Sequence, residues 1–114
     1  MWIRRGDLFY ADLDPVKGSE QAGHRPVLIL QNDTGNQYAP TTIAAPLTTK
    51  SSSKAYPTRV RFQKGMGGLR TDSTALLSQI QTLDKSRLGR KIGHVPAPFM
   101  EPVNEAIKIS LALA

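Results

Sequence analysis

The sequence predicts a mainly β chain, a small antiparallel barrel followed by one C-terminal helix. Three observations carry this. Short runs of β-branched and apolar residues alternate with turn residues, as in all-β folds. The run Pro26–Gln31 is almost continuously apolar, the mark of a buried central strand. Only Phe99–Leu113 repeats apolar residues at helical spacing. With 114 residues, 39% of them hydrophobic, residues 1–114 are expected to form a single domain.

The elements follow in order. Leu8–Leu13 reads as a strand with Leu8 and Tyr10 on one face and Phe9, Ala11 and Leu13 on the other. Asp14-Pro15 ends it, because proline cannot donate to a ladder. Lys17–His24 is a polar, Gly-containing loop. Pro26–Gln31 is the second strand, and Asn32–Tyr38 is read as a turn-rich loop. Thr41–Leu47 is a third strand and Thr48–Lys54 a loop. In Thr58–Phe62, Val60 and Phe62 face one way and Arg59 and Arg61 the other. Lys64–Gly68 is a flexible tip. Ser73–Leu83 reads as one long strand, with Leu77 near its middle and Leu77, Ile80 and Leu83 in the core. Lys85–Leu88 forms a helical turn capped by Asp84, and Lys91–Val95 is the last strand. In the terminal helix Phe99, Val103, Ile107 and Leu111 make one stripe, and Pro98 and Pro102 fit only near its start.

The formal net charge is +6, unevenly placed. Residues 34–94 hold ten basic side chains against two acidic ones, a local excess of eight. Such concentration favours a polyanionic partner through phosphate contacts and counterion release. No apolar run approaches the ~20 residues that span a bilayer. Met1–Asp7 lacks the apolar core of a secretory signal. A cytoplasmic location and no membrane partner are therefore expected. The lack of Cys excludes disulfides, Cys-ligated zinc and a Cys nucleophile. His24 and His94 have no carboxylate cluster beside them at ligand spacing, so neither metal nor cofactor is expected.

Arg25 is the leading candidate side chain. Pro26 pushes it toward an extended backbone, at the mouth of a rigid strand. Its guanidinium fork suits phosphate oxygens and stays charged at any working pH. The commoner fate of a lone Arg is a surface ion pair. His24 is the usual acid–base residue near neutral pH, but strand alternation sends it to the face opposite Arg25.

The run R-G-D-L-F-Y-A-D-L-D-P-V-K-G-S-E-Q-A-G-H-R-P-V-L-I-L-Q-N-D (residues 5–33) resembles the opening of the MazF/PemK toxin endoribonucleases of type II toxin–antitoxin pairs. Gln79–Asp84, Q-I-Q-T-L-D, resembles the family's Q-I-R-T-L-D, with Gln81 replacing a basic residue. The ending I-S-L-A-L is similar to the family's I-S-L-G-L. The resemblance covers roughly residues 3–113 and weakens over 50–70 and 89–102.

It implies an SH3-like barrel of the MazF/PemK/CcdB kind, which the pattern alone does not separate from an OB-like one. It implies Arg25 and Thr48 as catalytic residues, Thr48 matching the family's catalytic Thr after its third strand. The family pattern there, V-x-x-x-I-T, reads I-A-A-P-L-T here, so Pro46 is a departure in mid-segment and Thr49 a neighbouring alternative. Ser19, Glu20 and Gln21 would lie in a loop over the scissile phosphate, and His24, Thr49 and Gln79 would border the RNA. The implied activity is cofactor-free cleavage of single-stranded mRNA by 2′-OH attack, leaving 2′,3′-cyclic phosphate and 5′-OH ends. The implied partners are a second copy of the chain and a cognate antitoxin with a disordered C-terminal segment. The alternatives are a non-enzymatic, CcdB-like gyrase-binding toxin and a basic SH3-like RNA-binding module.

Overall fold

The computed structural model describes residues 2–14, 23–50 and 54–113. Its strands are β1 (Asp7–Asp12), β2 (His24–Ile29), β3 (Thr41–Thr48), β4 (Arg59–Phe62), β5 (Ser73–Leu76), β6 (Gln81–Asp84) and β7 (Leu88–His94). The helices are α1 (Asp33–Tyr38) and α2 (Glu101–Ser110). The strands form one antiparallel sheet in the order β4-β5-β3-β2-β1-β7, with β6 also paired to β3. A mainly β chain with a C-terminal helix is thus what forms.

The alternation read in the first strand places two cores. Leu8 joins Leu28, Leu47, Leu77, Phe62 and the inner face of α2 on one side of the sheet. Phe9, Ala11 and Leu13 join Val27, Ile29, Ala44 and Leu83 on the other.

The barrel-like sheet stays open. The path ends at β4 and β7, which do not pair. Backbone packing covers the gap instead: the 3₁₀ turn Met66–Gly68 lies against β7. A Cβ added to Gly93 would stand 1.9 Å from the Gly67 carbonyl oxygen, and one on Gly68 2.6 Å from that of Ile92. Only glycines allow so close an approach.

The long strand Ser73–Leu83 is corrected to two. β5 and β6 lie along the same edge of β3, β5 against Leu47–Thr48 and β6 against Thr41–Ala44. Ala75 faces Leu47 and Gln81 faces Ala44, so six residue steps on one side span three on the other. The excess forms a turn that drives Leu77, fully buried, into the core, held by its N–H to the Thr58 carbonyl at 2.9 Å. Leu76 and Leu77 are both buried, as adjacent residues are elsewhere in a sheet covered on both faces, so the register and not burial marks the break.

The loop Asn32–Tyr38 is corrected to a short helix. Asn32 caps it by accepting from the Gly35 N–H at 2.8 Å. Buried Asn36 donates to the Gln31 carbonyl and accepts from the Thr42 hydroxyl. The residues read as turn formers act as cap and staple.

The apolar stripe of the terminal helix is also shifted. Ala97–Met100 is a 3₁₀ turn, and its tighter winding changes the phase. Met100, Val103 and Ala106 are buried and Ile107 packs beside them, while Phe99 and Leu111 are about half exposed. Pro98 and Pro102 do fall in the opening turns. Arg5 ties the helices to the sheet: its N–H donates to Asp33 (2.7 Å), its Nε to the Leu30 carbonyl (2.9 Å) and its Nη2 to Asn104 (2.6 Å).

Candidate active site

β2 begins earlier and β3 ends later than the sequence suggested, so Arg25 and Thr48 both lie inside strands. Arg25 is half-buried and faces Ala11 of β1, whose side chain is too small to crowd a guanidinium. Val27 faces Pro46 on β3 and Ile29 faces Ala44. Carried two residues further, that register sets Arg25 opposite Thr48, on one face of the sheet.

Pro46 does not break the pairing. It sits between Ala44, the last β3 residue paired with β6, and Leu47, the first paired with β5. Leu30 N–H donates to the Ile43 carbonyl at 2.8 Å. By antiparallel alternation the polar groups of residue 46 then point away from β2, into this changeover. The missing N–H of Pro46 therefore costs no rung.

Thr48 is 8% exposed and faces Thr74 of β5, and Thr74 faces Arg61 of β4. Arg25, Thr48, Thr74 and Arg61 thus form a row across four strands, about 15 Å long at the usual strand spacing. Thr48 Oγ1 accepts from the Lys50 N–H at 3.2 Å. This is the local hydroxyl turn that Thr commonly makes, and it leaves the hydroxyl proton available to donate. Beside it a hollow of about 20 Å³ is lined by Thr49, Lys50, Arg61, Asp72, Ser73 and Thr74. Arg61 pairs with Asp72 at 3.2 Å. The Lys64 N–H and then Arg61 hold the Asp72 carboxyl below its ordinary pKa.

The other predicted residues separate. Thr49 is exposed just beyond β3. Gln79 is half-buried in the turn between β5 and β6, beside the Pro46 changeover rather than in the row. His24 stands on the opposite face, its ring stacked on Tyr10 with centroids 5.5 Å apart. Ser19, Glu20 and Gln21 lie outside the described residues. Sequence reasoning missed Thr74, Lys50 and Arg61 as site residues. The outward face of Arg61 was readable from alternation, but its alignment with Thr48 depends on non-local register. Among the described residues no group of three His, Cys, Asp or Glu side chains could hold a metal ion.

Residues 4–111 match the family model described as PemK-like, MazF-like toxin of type II toxin-antitoxin system. Endoribonuclease EndoA of Bacillus subtilis is 49% identical over 113 residues, covering 99% of this chain and 97% of its own. Endoribonuclease MazF of Staphylococcus saprophyticus is 51% identical over 111 residues, covering 97% and 92%. Among solved structures, MazF from Deinococcus radiodurans superposes with a TM-score of 0.83 at 26% identity, covering 98% of each chain. A mycobacterial endoribonuclease in complex with its cognate antitoxin gives 0.82 at 27%, covering 98% of this chain and 97% of that one. A family match along nearly the whole chain, relatives at about half identity and a shared fold lead to one conclusion: the chain belongs to the PemK-like, MazF-like toxins of type II toxin–antitoxin systems.

Proposed function

We propose that the protein is an endoribonuclease that cleaves single-stranded mRNA at the Arg25–Thr48 pair. The observation that carries this is the β2–β3 register: its last pair, Val27 with Pro46, stops two residues short of Arg25 and Thr48, and continued alternation would bring a charged fork and a hydroxyl donor to one face. Relatives of about half identity are named endoribonucleases, which supports the reading. The 2′-oxygen of one ribose attacks the adjacent phosphorus. Its proton leaves to a base, the bond to the 5′-oxygen breaks, and that oxygen takes up a proton. A 2′,3′-cyclic phosphate and a 5′-OH result. Negative charge grows on the non-bridging oxygens, and donors fixed in advance around that charge are the main catalytic device. Arg25 binds those oxygens with its fork, and Thr48 donates a hydrogen bond to them from its hydroxyl. Neither is assigned a proton transfer; Arg in particular is too weakly acidic to act as a base.

In this reading Thr49, Gln79 and the 17–24 loop with Ser19, Glu20 and Gln21 border the RNA, and His24 lies off the reacting face. The chain works as one cytoplasmic domain, assembled as a homodimer and silenced by a cognate antitoxin whose disordered segment folds on binding. A similar fold has been solved with its cognate antitoxin, which supports that partner. The test is incubation of the purified protein with a long RNA in EDTA. Discrete fragments whose 5′ ends accept phosphate from a polynucleotide kinase are expected. Intact RNA, or fragments already bearing 5′-phosphate, would sink the mechanism.

A further inference from the structure

On the face of β1 and β2 away from Arg25, four side chains gather that the cleavage chemistry does not use. Tyr10 carries the His24 ring stacked within 10° of parallel. The Arg90 guanidinium carbon stands 5.3 Å from the Tyr10 ring centroid. Beside them opens a hollow of about 220 Å³ lined by Tyr10, Gly68, Arg70, Arg90, Lys91 and Ile92. Lys91 is paired with buried Asp7 at 3.3 Å. Arg70 and Arg90 are exposed and enter none of the ion pairs Arg61–Asp72, Lys91–Asp7, His94–Asp7 and Lys108–Glu105 seen among the described residues.

We propose that this hollow is a phosphate-binding subsite for the nucleic-acid strand, separate from the Arg25–Thr48 row. Two guanidinium forks at the rim of a concavity with backbone at Gly68 match a tetrahedral anion bearing several acceptors. The Tyr10 ring holds Arg90 in place before the ligand arrives, which lowers the ordering cost of binding. The exposed His24 ring offers a platform to the base beside the bound phosphate. The route is short: Arg25 and His24 are consecutive on β2 and point to opposite faces, so a strand crossing the end of β2 passes from one site to the other. The subsite rests on the reading of the protein as an RNA-cleaving enzyme, and it holds the flank of the substrate rather than the cut.

The test is binding of single-stranded DNA, which lacks the 2′-OH and stays intact, across a salt series. One oligonucleotide is long and one is only long enough to cover the cut site. For R70A/R90A the salt slope on the long strand should fall by about 0.7, the value for one phosphate contact on a single strand. Affinity for the long strand should fall about tenfold or more, and that for the short strand should hold. On RNA, KM for long substrate should rise with kcat unchanged. R70K/R90K, which keeps both charges, should restore the slope. Sedimentation and a thermal melt accompany each variant. An unchanged slope, equal losses on both strands, loss only of antitoxin binding, or dissociation of a dimer would each overturn the subsite. A wild type that never cleaves RNA would sink the enzymatic reading alone, because the DNA slopes still decide for or against Arg70 and Arg90.

Discussion

Arg25 owes its place to two uncharged neighbours. Pro26 extends the backbone before it, and Ala11 across the ladder leaves the guanidinium room. Arg25→Ala should lower kcat about 10²–10³-fold with little change in Tm. Arg25→Lys should rescue poorly because the fork is lost. Cleavage within a few-fold of wild type would remove Arg25 from the mechanism. Thr48→Ala should lose less, since a neutral donor contributes less than a charged one. In the proposed reading Arg61, at the far end of the row, takes a phosphate beside the cut, so Arg61→Ala should raise KM and spare kcat in steady-state kinetics. Asp72, which fixes Arg61, has a depressed pKa. Its contribution is present above the ordinary carboxylate range and is lost as pH falls through the depressed value. Arg25 stood out as a candidate through its own chemistry and the following Pro26, and Thr48 through the family resemblance alone. Thr74 and Arg61 were not legible, because what matters about them is which residue they face.

At the scale of elements, the alternating and apolar runs β1 to β4 were readable, and the errors have two causes. The interruption between β5 and β6 is held by a distant contact, Leu77 with Thr58, of which local propensity carries no record. Helix α1 and the phase of α2 turn instead on nearby features, the Asn32 cap and the 3₁₀ turn Ala97–Met100, that turn and helix patterns do not distinguish. The end of α2 makes a separate prediction. Leu113 N–H bonds to the Lys108 carbonyl and Ala112 N–H to that of Ile109, with Ala112 at φ +56°. This is the double hydrogen bond that closes many helices, and its left-handed residue is usually Gly. Ala112→Gly should therefore stabilise the fold by about 1 kcal/mol and raise Tm by a few degrees in a thermal melt. At the glycine contact the sign reverses. Gly93→Ala would drive a methyl into the Gly67 carbonyl and should cost about 1–3 kcal/mol, read as a clear fall in Tm.

At the scale of the whole molecule, the concentration of basic charge in residues 34–94 was visible in the sequence, but its distribution was not. Folding gathers Lys50 and Arg61 around one hollow, next to Thr49 and Thr74, and Arg70 and Arg90 around another. Cleavage should persist in EDTA, since a 2′-OH nucleophile needs no metal and the described residues offer no ligand cluster. Activity lost to EDTA and restored by Mg²⁺ would reject that chemistry. Sedimentation at micromolar concentration should give about twice the 12.5 kDa chain mass. A strictly monomeric species that still cuts RNA efficiently would refute the dimeric assembly.

β3 pairs with three other strands, and two of them, β5 and β6, follow it in the chain. During synthesis, Arg25 and Thr48 are both made before the strands that complete the sheet around Thr48. A nascent chain therefore carries both residues of the proposed pair while still unable to hold them in register. A harmful activity is in this way deferred until most of the polypeptide has left the ribosome. Refolding should show the same delay: cleavage should appear with the slowest tertiary phase and not with the early gain of β structure.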